Sequence, residues 1–391
     1  MSGNSPEKLK ILFYLLYYLP HRTGVPIYIQ RLSEELVRRG HEVTVVAAQH
    51  QPHLPRHEVI NGVTVRRIWA PPIPISRGMI MPNFPFVMYK LMHEHDIVQV
   101  STPVLETGLI RLLAMMTGKK VIVTHHGDLI LPEGLTNRFI QNTMFGLYKF
   151  LVGGPQVPRL VLYSQDYADN SYYARPFMDK LHPIYPPIEM PPPNMKRSSE
   201  LKAQWSRDGG PVIGYAGRFV EEKRPDLLIR SLEVINQRYP NAHVVFAGEY
   251  DIKYENTWEK YQPIVQQYKD QLTFLGLIDD MQFMADFFAA VDVLALTSAS
   301  ECFALVQVEA MLSGTPVMMT NIPGGRVPVQ VTGMGRLAES GDHVSMGQAI
   351  LEILENPAQF QHTRQQIEDC FSFEETVNQY EKFFHEYANR T

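Results

Sequence analysis

Cysteine is almost missing from this 391-residue chain: Cys302 and Cys370 are the only two, far apart and without a Cys-x-x-Cys spacing. That excludes a disulfide framework and a zinc cluster, and it fits a reducing cytoplasm. Long apolar runs are missing too. The apolar opening ILFYLLYYLP, residues 11–20, is too short to span a bilayer and has no small-residue cleavage site, so it reads as a first buried strand. No Gly-x-Gly-x-x-Gly occurs, which disfavours a nicotinamide or flavin dinucleotide, and the Gly-Met-Gly at 333–335 lies in the wrong place to replace it. Short-period repeats are absent, as is low complexity outside one proline-rich stretch.

What is present is enough apolar matter for a large core: 45% of residues are hydrophobic, which at this length suggests two domains. The formal charge of -5 hides an asymmetry, since residues 1–190 sum to +5 and residues 191–391 to -10. A basic first half suits an anionic surface, such as a membrane leaflet or a phosphorylated substrate; two solvated surfaces with a chance imbalance are the alternative. Nothing points to a nucleic acid.

Short apolar runs alternate with helical patterns, as in a parallel sheet covered on both faces. KILFYLLYY, IYIQRLSEELVRRG and HEVTVVAA make a strand, helix and strand, with Ile29, Leu32 and Leu36 as the helix stripe and Gly40 as its stop. VTVRRIW, DIVQV, KVIVTHH and LVLYS read as further strands. The stretch PIYPPIEMPPPNMKRSS then breaks the pattern, and proline at that density makes a stiff connector. Beyond it the alternation resumes with PVIGYAG, a helix carrying Leu228, Leu232 and Ile235, then AHVVFAG, LTFLGL and VDVLALTS. The expected domains are residues 1–188 and 189–372, with a final helix at 373–391 crossing back to the first.

Ligands of open parallel sheets sit beyond the carboxyl ends of the strands, so the chemistry should follow strands directly. Arg218 and Lys223 follow PVIGYAG and precede a helix, a setting that can hold a diphosphate; pairing with Glu221 and Glu222 on a solvated turn is the other reading. Thr23 and Gly24 precede the first helix, where a glycine lets N–H groups approach a phosphate. His125, His126 and Asp128 end another strand. Adjacent histidines on extended chain point to opposite sides, so they do not share one metal ion.

Glu301 and Glu309 stand in an otherwise apolar segment, TSASECFALVQVEAMLSGTPVMMT. A glycosidase needs its carboxyl groups roughly 5–9.5 Å apart on opposite sides of a bond. Eight helical positions advance about 12 Å with about 80° of rotation, leaving these two on one side of a ligand. They suit holding hydroxyl groups, with the following helix directing its first N–H groups at a phosphate.

Several motifs in order over nearly the whole chain then carry a resemblance: the Thr23-Gly24 loop, His126-Gly127, Gly217-Arg218 with Lys223, FLGLIDD at 274–280, and Glu301 through Glu309 with EAMLSGTPV. The chain resembles the retaining glycosyltransferases of family 4, whose α/β GT-B fold has two facing Rossmann-like doubly wound domains with a cleft between them. The resemblance implies that Glu301 and the N–H groups of Phe303, Ala304 and Leu305 bind the donor sugar and its phosphate. It gives Glu309 the ribose, Arg218, Lys223 and Gly24 the diphosphate, His126 the sugar near the reacting carbon, and the Leu277 region the base. A nucleotide sugar would be the substrate, UDP-linked first and GDP-mannose second, with no cofactor and no metal; Asp279-Asp280 reads as an acidic turn.

The chain departs from the family pattern at Ala304, where glycine is usual, at Cys302, at Thr23 and at Pro328 in NIPGGRVPVQVTGMGRL; GEYDIKYENTWEKY reads as an insertion. Residues 73–96, with Arg66, Arg67, Arg77 and Lys90 nearby, suggest an acceptor flap or a membrane-touching surface, set against a core helix with its entry loop. The expectation is a hydroxyl acceptor, lipid or lipid-linked, and peripheral contact with an anionic membrane from the cytoplasm. A nucleotide-sugar epimerase and a non-catalytic nucleotide-sugar binding protein are the rival readings.

Overall fold

The computed structural model describes residues 8–71, 78–131, 134–252 and 256–388. The chain forms two units, Met1–Pro187 with Phe373–Thr391, and Ile188–Ser372.

The first unit holds an eight-stranded sheet in the order β3-β4-β2-β1-β5-β6-β7-β8. Its strands are β1 (Lys10–Tyr14), β2 (Glu42–Gln49), β3 (His57–Ile60), β4 (Val63–Trp69), β5 (Ile97–Thr102), β6 (Val121–His125), β7 (Arg159–Leu162) and β8 (Leu181–Pro183). All neighbours pair in parallel except β3 with β4. That exception is a two-residue hairpin whose turn, Asn61-Gly62, takes positive φ at both residues, as a right-twisted hairpin requires. Asn-Gly is the usual signal of such a hairpin, but β3 alternates in exposure and has no apolar run to flank it.

The first helix runs Gly24–Arg38, with Ile29, Leu32 and Leu36 fully buried on the sheet, and Gly40 turns the chain away at φ 97°. The last helix, Phe373–Tyr387, packs on the same unit. Its Phe384 ring meets Phe13 of β1 edge-on at 5.9 Å. Arg39 and His41 fasten it at Glu381, with contacts of 2.6 Å from the Arg39 guanidinium and 2.9 Å from His41 Nε2.

The second unit is wholly parallel, ordered β11-β10-β9-β12-β13-β14. Its strands are β9 (Val212–Ala216), β10 (His243–Ala247), β11 (Leu272–Gly276), β12 (Val293–Leu296), β13 (Val317–Thr320) and β14 (Gly335–Ala338). Counted from β9, this is the 3-2-1-4-5-6 order of a doubly wound nucleotide-binding sheet, and its direction reverses between β9 and β12. Leu228, Leu232 and Ile235 of the helix Pro225–Ile235 are fully buried against it. In the first unit the reversal falls between β1 and β5.

Of the cations near 73–96, Arg67 is buried and bonds Pro55 O and Leu19 O as well as Glu58, so it serves the core and not a surface. Arg77 lies outside the described residues, as do Lys253, Tyr254 and Glu255 of the expected insertion. No helix among the described residues is long and apolar enough to cross a membrane.

Candidate functional site

The reversal point of the second sheet gathers most of the charged candidates. Arg218 stands exposed just past β9. Lys223 lies in the short turn Glu221–Lys223 that leads into the helix Pro225–Ile235. Glu301 follows β12, and its carboxylate meets Lys223 Nζ at 2.5 Å while accepting a bond from Ser298 Oγ at 2.8 Å. Burial works against the Lys223 charge, but the Glu301 and Glu222 carboxylates outweigh it and hold its pKa above the usual lysine range. Lys223 thus pairs with a residue 78 positions away and not within its own turn, while Glu221 pairs with Lys260.

The loop carrying Glu301 is fixed from several sides. Thr297 Oγ1 donates to Lys223 O and Arg224 O, tying β12 to the turn after β9. Phe303 is fully buried, its ring edge-on to Phe371 at 5.6 Å. Gly324 bridges to Glu301 with φ 75°, and a Cβ there would lie 2.4 Å from Cys302 O, so only glycine permits that approach. Gln307 Nε2 donates to Gly325 O at 2.7 Å. The segment 321–337, which departs from the family pattern at Pro328, backs the Glu301 loop.

Ala304 caps the helix Leu305–Leu312 at φ 55°, ψ 77°, a left-handed conformation uncommon for a residue with a Cβ. Leu305 opens that helix and Glu309 lies half-buried on it. Leu277, just past β11, is exposed. The arrangement offers a cation, a carboxylate and a helix N-terminus converging on one side of the sheet, which is the equipment for a phosphate next to hydroxyl groups.

The first unit's candidates are mounted differently. Gly24 begins its helix, exposed, and His126 follows β6. The two histidines do point apart. His125 is fully buried, hydrogen-bonded to Thr102 Oγ1 at 3.1 Å and Asp128 Oδ1 at 3.0 Å, and stacked on Tyr173. Asp128 also accepts from Ser171 Oγ and the Tyr172 N–H, so it braces the turn. His126 Nδ1 contacts the Tyr163 hydroxyl, and its ring meets Tyr28 edge-on at 5.3 Å. The Tyr28 hydroxyl in turn contacts that of Tyr380, which bonds Thr124 Oγ1 at 3.0 Å. Burial, with His125 adding to it, pushes the His126 pKa down to about 3, so the ring is neutral at any physiological pH.

Tyr163, Tyr28 and Tyr380 are scattered through the sequence and carry no local signal; only the fold unites them. Among the described residues one cluster could be taken for a metal site: His41, Glu381 and His385 place ligand atoms within 4.8 Å of one another. His41 Nδ1 accepts the Leu9 N–H at 3.2 Å, which leaves the proton of a neutral ring on Nε2, facing Glu381 as a donor and not a ligand. Arg39 holds the same carboxylate, so the cluster is built as an ion-pair network.

Comparison with known proteins agrees over both units. Residues 22–190 match the family model "Glycosyltransferase Family 4" and residues 197–369 match "Glycosyl transferases group 1". The chain is 25% identical over 364 residues to an uncharacterized glycosyltransferase of Methanocaldococcus jannaschii, covering 87% of this chain and 88% of that protein. It is 22% identical over 361 residues to D-inositol 3-phosphate glycosyltransferase 1 of Catenulispora acidiphila, covering 86% and 83%. Among solved structures, the Anabaena HepE protein in complex with UDP and glucose superposes with a TM-score of 0.77 at 17% identity, covering 97% of this chain and all of that one. The two parallel α/β units therefore have the GT-B class of fold, and the chain belongs to the family 4, group 1 glycosyltransferases.

Proposed function

We propose that the protein is a retaining, metal-independent hexosyltransferase that uses a UDP-sugar, with GDP-mannose second, and transfers the sugar to a hydroxyl acceptor. The observation that carries this reading is the Lys223–Glu301 contact beside the N-terminus of the helix Leu305–Leu312. Breaking the bond between the anomeric carbon and the phosphate oxygen leaves the electron pair on that oxygen. Lys223, Arg218 and the first N–H groups of the helix stabilise the charge as it forms. The acceptor oxygen attacks the anomeric carbon on the face being vacated, and its proton passes to the departing phosphate oxygen. No protein base and no cofactor is required in this scheme.

In the same reading Glu301 grips hydroxyl groups of the sugar, Glu309 the ribose, and the N–H groups of Phe303, Ala304 and Leu305 the adjoining phosphate. Leu277 lies by the base, Gly24 gives an N–H to the diphosphate, and neutral His126 sits against the donor sugar. UDP as the nucleotide is supported by the UDP in the HepE structure.

The acceptor is read as a lipid or lipid-linked glycan, reached by peripheral contact with an anionic cytoplasmic leaflet. Support comes from the basic first half and from Leu105, Leu109, Leu112 and Met116, exposed along one side of the helix Thr107–Thr117 and its entry. Flotation with anionic vesicles at low salt should retain the protein, and free sedimentation would remove the membrane from the reading.

The primary test is a thermal-shift screen with UDP, GDP, ADP and their sugar conjugates. A ligand at about 100 times its Kd adds roughly 2.7 kcal/mol of stability. A shift confined to one nucleotide names the donor class, and no shift with any of them rejects the donor assignments.

A further inference from the structure

Among the buried residues of the helix Leu305–Leu312, Val308, Ala310, Met311 and Leu312 are apolar and Gln307 is not. Gln307 is 0% exposed. Its Nε2 donates twice, to Phe303 O at 3.0 Å and to Gly325 O at 2.7 Å, and two carbonyl acceptors fix which way round the carboxamide lies. Its Oε1 is buried with no hydrogen-bond partner among the described residues. A methionine would fill the same place without stranding an oxygen, so what sets Gln307 apart is what its two donors hold.

They hold one peptide plane. The backbone N–H of Gln307 bonds Ala304 O, three residues back, and the side chain reaches one residue further to Phe303 O. In a trans peptide the carbonyl and the following N–H point in opposite directions, so drawing Phe303 O toward Gln307 turns the Ala304 N–H away from the buried amide. The same plane is strained by Ala304, whose φ of 55° is uncommon for a residue with a Cβ. Turning the Phe303–Ala304 peptide over would shift that φ by roughly 180°, to about −125°, where such residues ordinarily sit. It would also reverse the N–H. The strain therefore favours the reversed peptide, and the bond from Gln307 opposes it, with Gly325 O anchoring the amide.

We propose that Gln307 is a positioning residue for the transfer, holding the Phe303–Ala304 peptide in the orientation that aims the Ala304 N–H at the phosphate leaving the donor sugar. This rests on the transferase reading of the loop. The anchor is itself part of the site's frame. Gly324 bridges to Glu301, and a Cβ on Gly325 would lie 3.3 Å from Glu301 Cβ, so the segment that braces Gln307 is the one packed against Glu301. One amide thus joins the helix, the left-handed turn before it and the segment behind Glu301. With an alanine at the turn instead of a glycine, the restraint has strain to work against, which makes the two residues interdependent.

The test uses the full chain. Gln307→Met keeps the length of the side chain and removes both donors; Gln307→Asn, too short to reach both carbonyls, gives a milder break if methionine is not tolerated. A crystal structure of the variant should show the peptide reversed, with Ala304 at negative φ. With UDP-glucose or GDP-mannose, whichever is turned over, kcat should fall about tenfold and KM change less than about threefold, since the N–H acts on charge that develops only as the bond breaks. The double variant decides. In the Gln307→Met chain, Ala304→Gly removes the penalty on positive φ and should recover about threefold of the lost turnover, whereas the same exchange beside an intact Gln307 brings no gain. A side chain needed only for packing would lower stability in urea with the peptide unmoved and no rescue by glycine. That result, or a reversed peptide with full turnover, would overturn the proposal. A reversed peptide in a protein that binds none of UDP, GDP and ADP and turns over neither nucleotide sugar would leave the clamp standing but overturn its role in transfer, together with the transferase reading beneath it.

Discussion

In the second unit the candidate groups are ions held by ions: Lys223 against Glu301, with the Ser298 hydroxyl donating to that carboxylate and Thr297 to the Lys223 carbonyl. In the first unit they are neutral rings and hydroxyls, His126 against Tyr163 and Tyr28, then Tyr380 and Thr124. The overall charges run the other way, since the first half of the chain is basic and the second strongly acidic. Net charge over a domain therefore does not say where charged chemistry sits. It governs encounter at long range, whereas a few buried residues decide what is stabilised at contact.

The largest effect should come from separating the ionic pair. Glu301→Gln should lower turnover about 100- to 1,000-fold, the range seen when one preorganised transition-state contact is lost. It also frees Lys223 from its partner, so affinity for a bare nucleoside diphosphate should rise, by about threefold. Steady-state kinetics and calorimetry with the diphosphate read the two changes separately. A non-catalytic binder would have no turnover to lose, and an unchanged diphosphate affinity would show that the Lys223–Glu301 contact does not compete with phosphate.

The neutral mount predicts a smaller and different loss. Tyr163 contacts His126 Nδ1, and a phenol O–H donating there would hold the ring proton of the neutral imidazole on Nε2. Tyr163→Phe removes that constraint without altering charge. Long-range ¹⁵N NMR should show His126 change from one tautomer to a mixture, with turnover down about tenfold and nucleotide affinity unchanged. An unchanged tautomer in Tyr163→Phe would dismiss Tyr163 as the positioning group.

A third change tests whether the last helix is needed by its own unit. Tyr380→Phe leaves the Thr124 and Tyr28 hydroxyls without a buried partner and should lower stability by about 1–2 kcal/mol in urea unfolding. The nucleotide-induced melting shift, which in the proposed reading depends mainly on the second unit, should survive.

How much of this was legible beforehand follows the same division. Parallel strands buried on both faces announce themselves as apolar runs, and the ionic candidates stand within motifs, so Arg218, Lys223 and Glu301 could be picked out before any fold was known. The β3–β4 hairpin escaped because an edge strand with alternating exposure has no apolar run, although Asn61-Gly62 was there to be read. Arg67 looked like a surface cation because nothing local reveals that the loop carbonyls of Leu19 and Pro55 fold over it. The tyrosines around His126 were invisible for the plainest reason: residues 28, 163 and 380 meet only through tertiary structure. The same holds for Ser298, three residues before Glu301, whose hydroxyl could not be aimed from sequence.

The smallest expected effect concerns Ala304, where local chemistry and fold disagree. The loop between Glu301 and the helix Leu305–Leu312 must turn through a left-handed residue, and the chain does so with an alanine at φ 55°. For a residue with a Cβ that conformation costs about 1–2 kcal/mol. Glycine would remove the strain but would also leave the unfolded chain with more freedom to lose, which offsets about 0.4–1 kcal/mol of the gain. Ala304→Gly should therefore raise stability by up to about 1.5 kcal/mol, measurable by urea unfolding. The strain also has a functional consequence if it holds the Phe303, Ala304 and Leu305 N–H groups in their phosphate-facing arrangement before the donor arrives. Relaxing it would then weaken nucleotide binding even as stability rises. Greater stability with unchanged nucleotide affinity would mean that the loop is set by the packing of Phe303 and Gly324 alone, and that the strain is incidental.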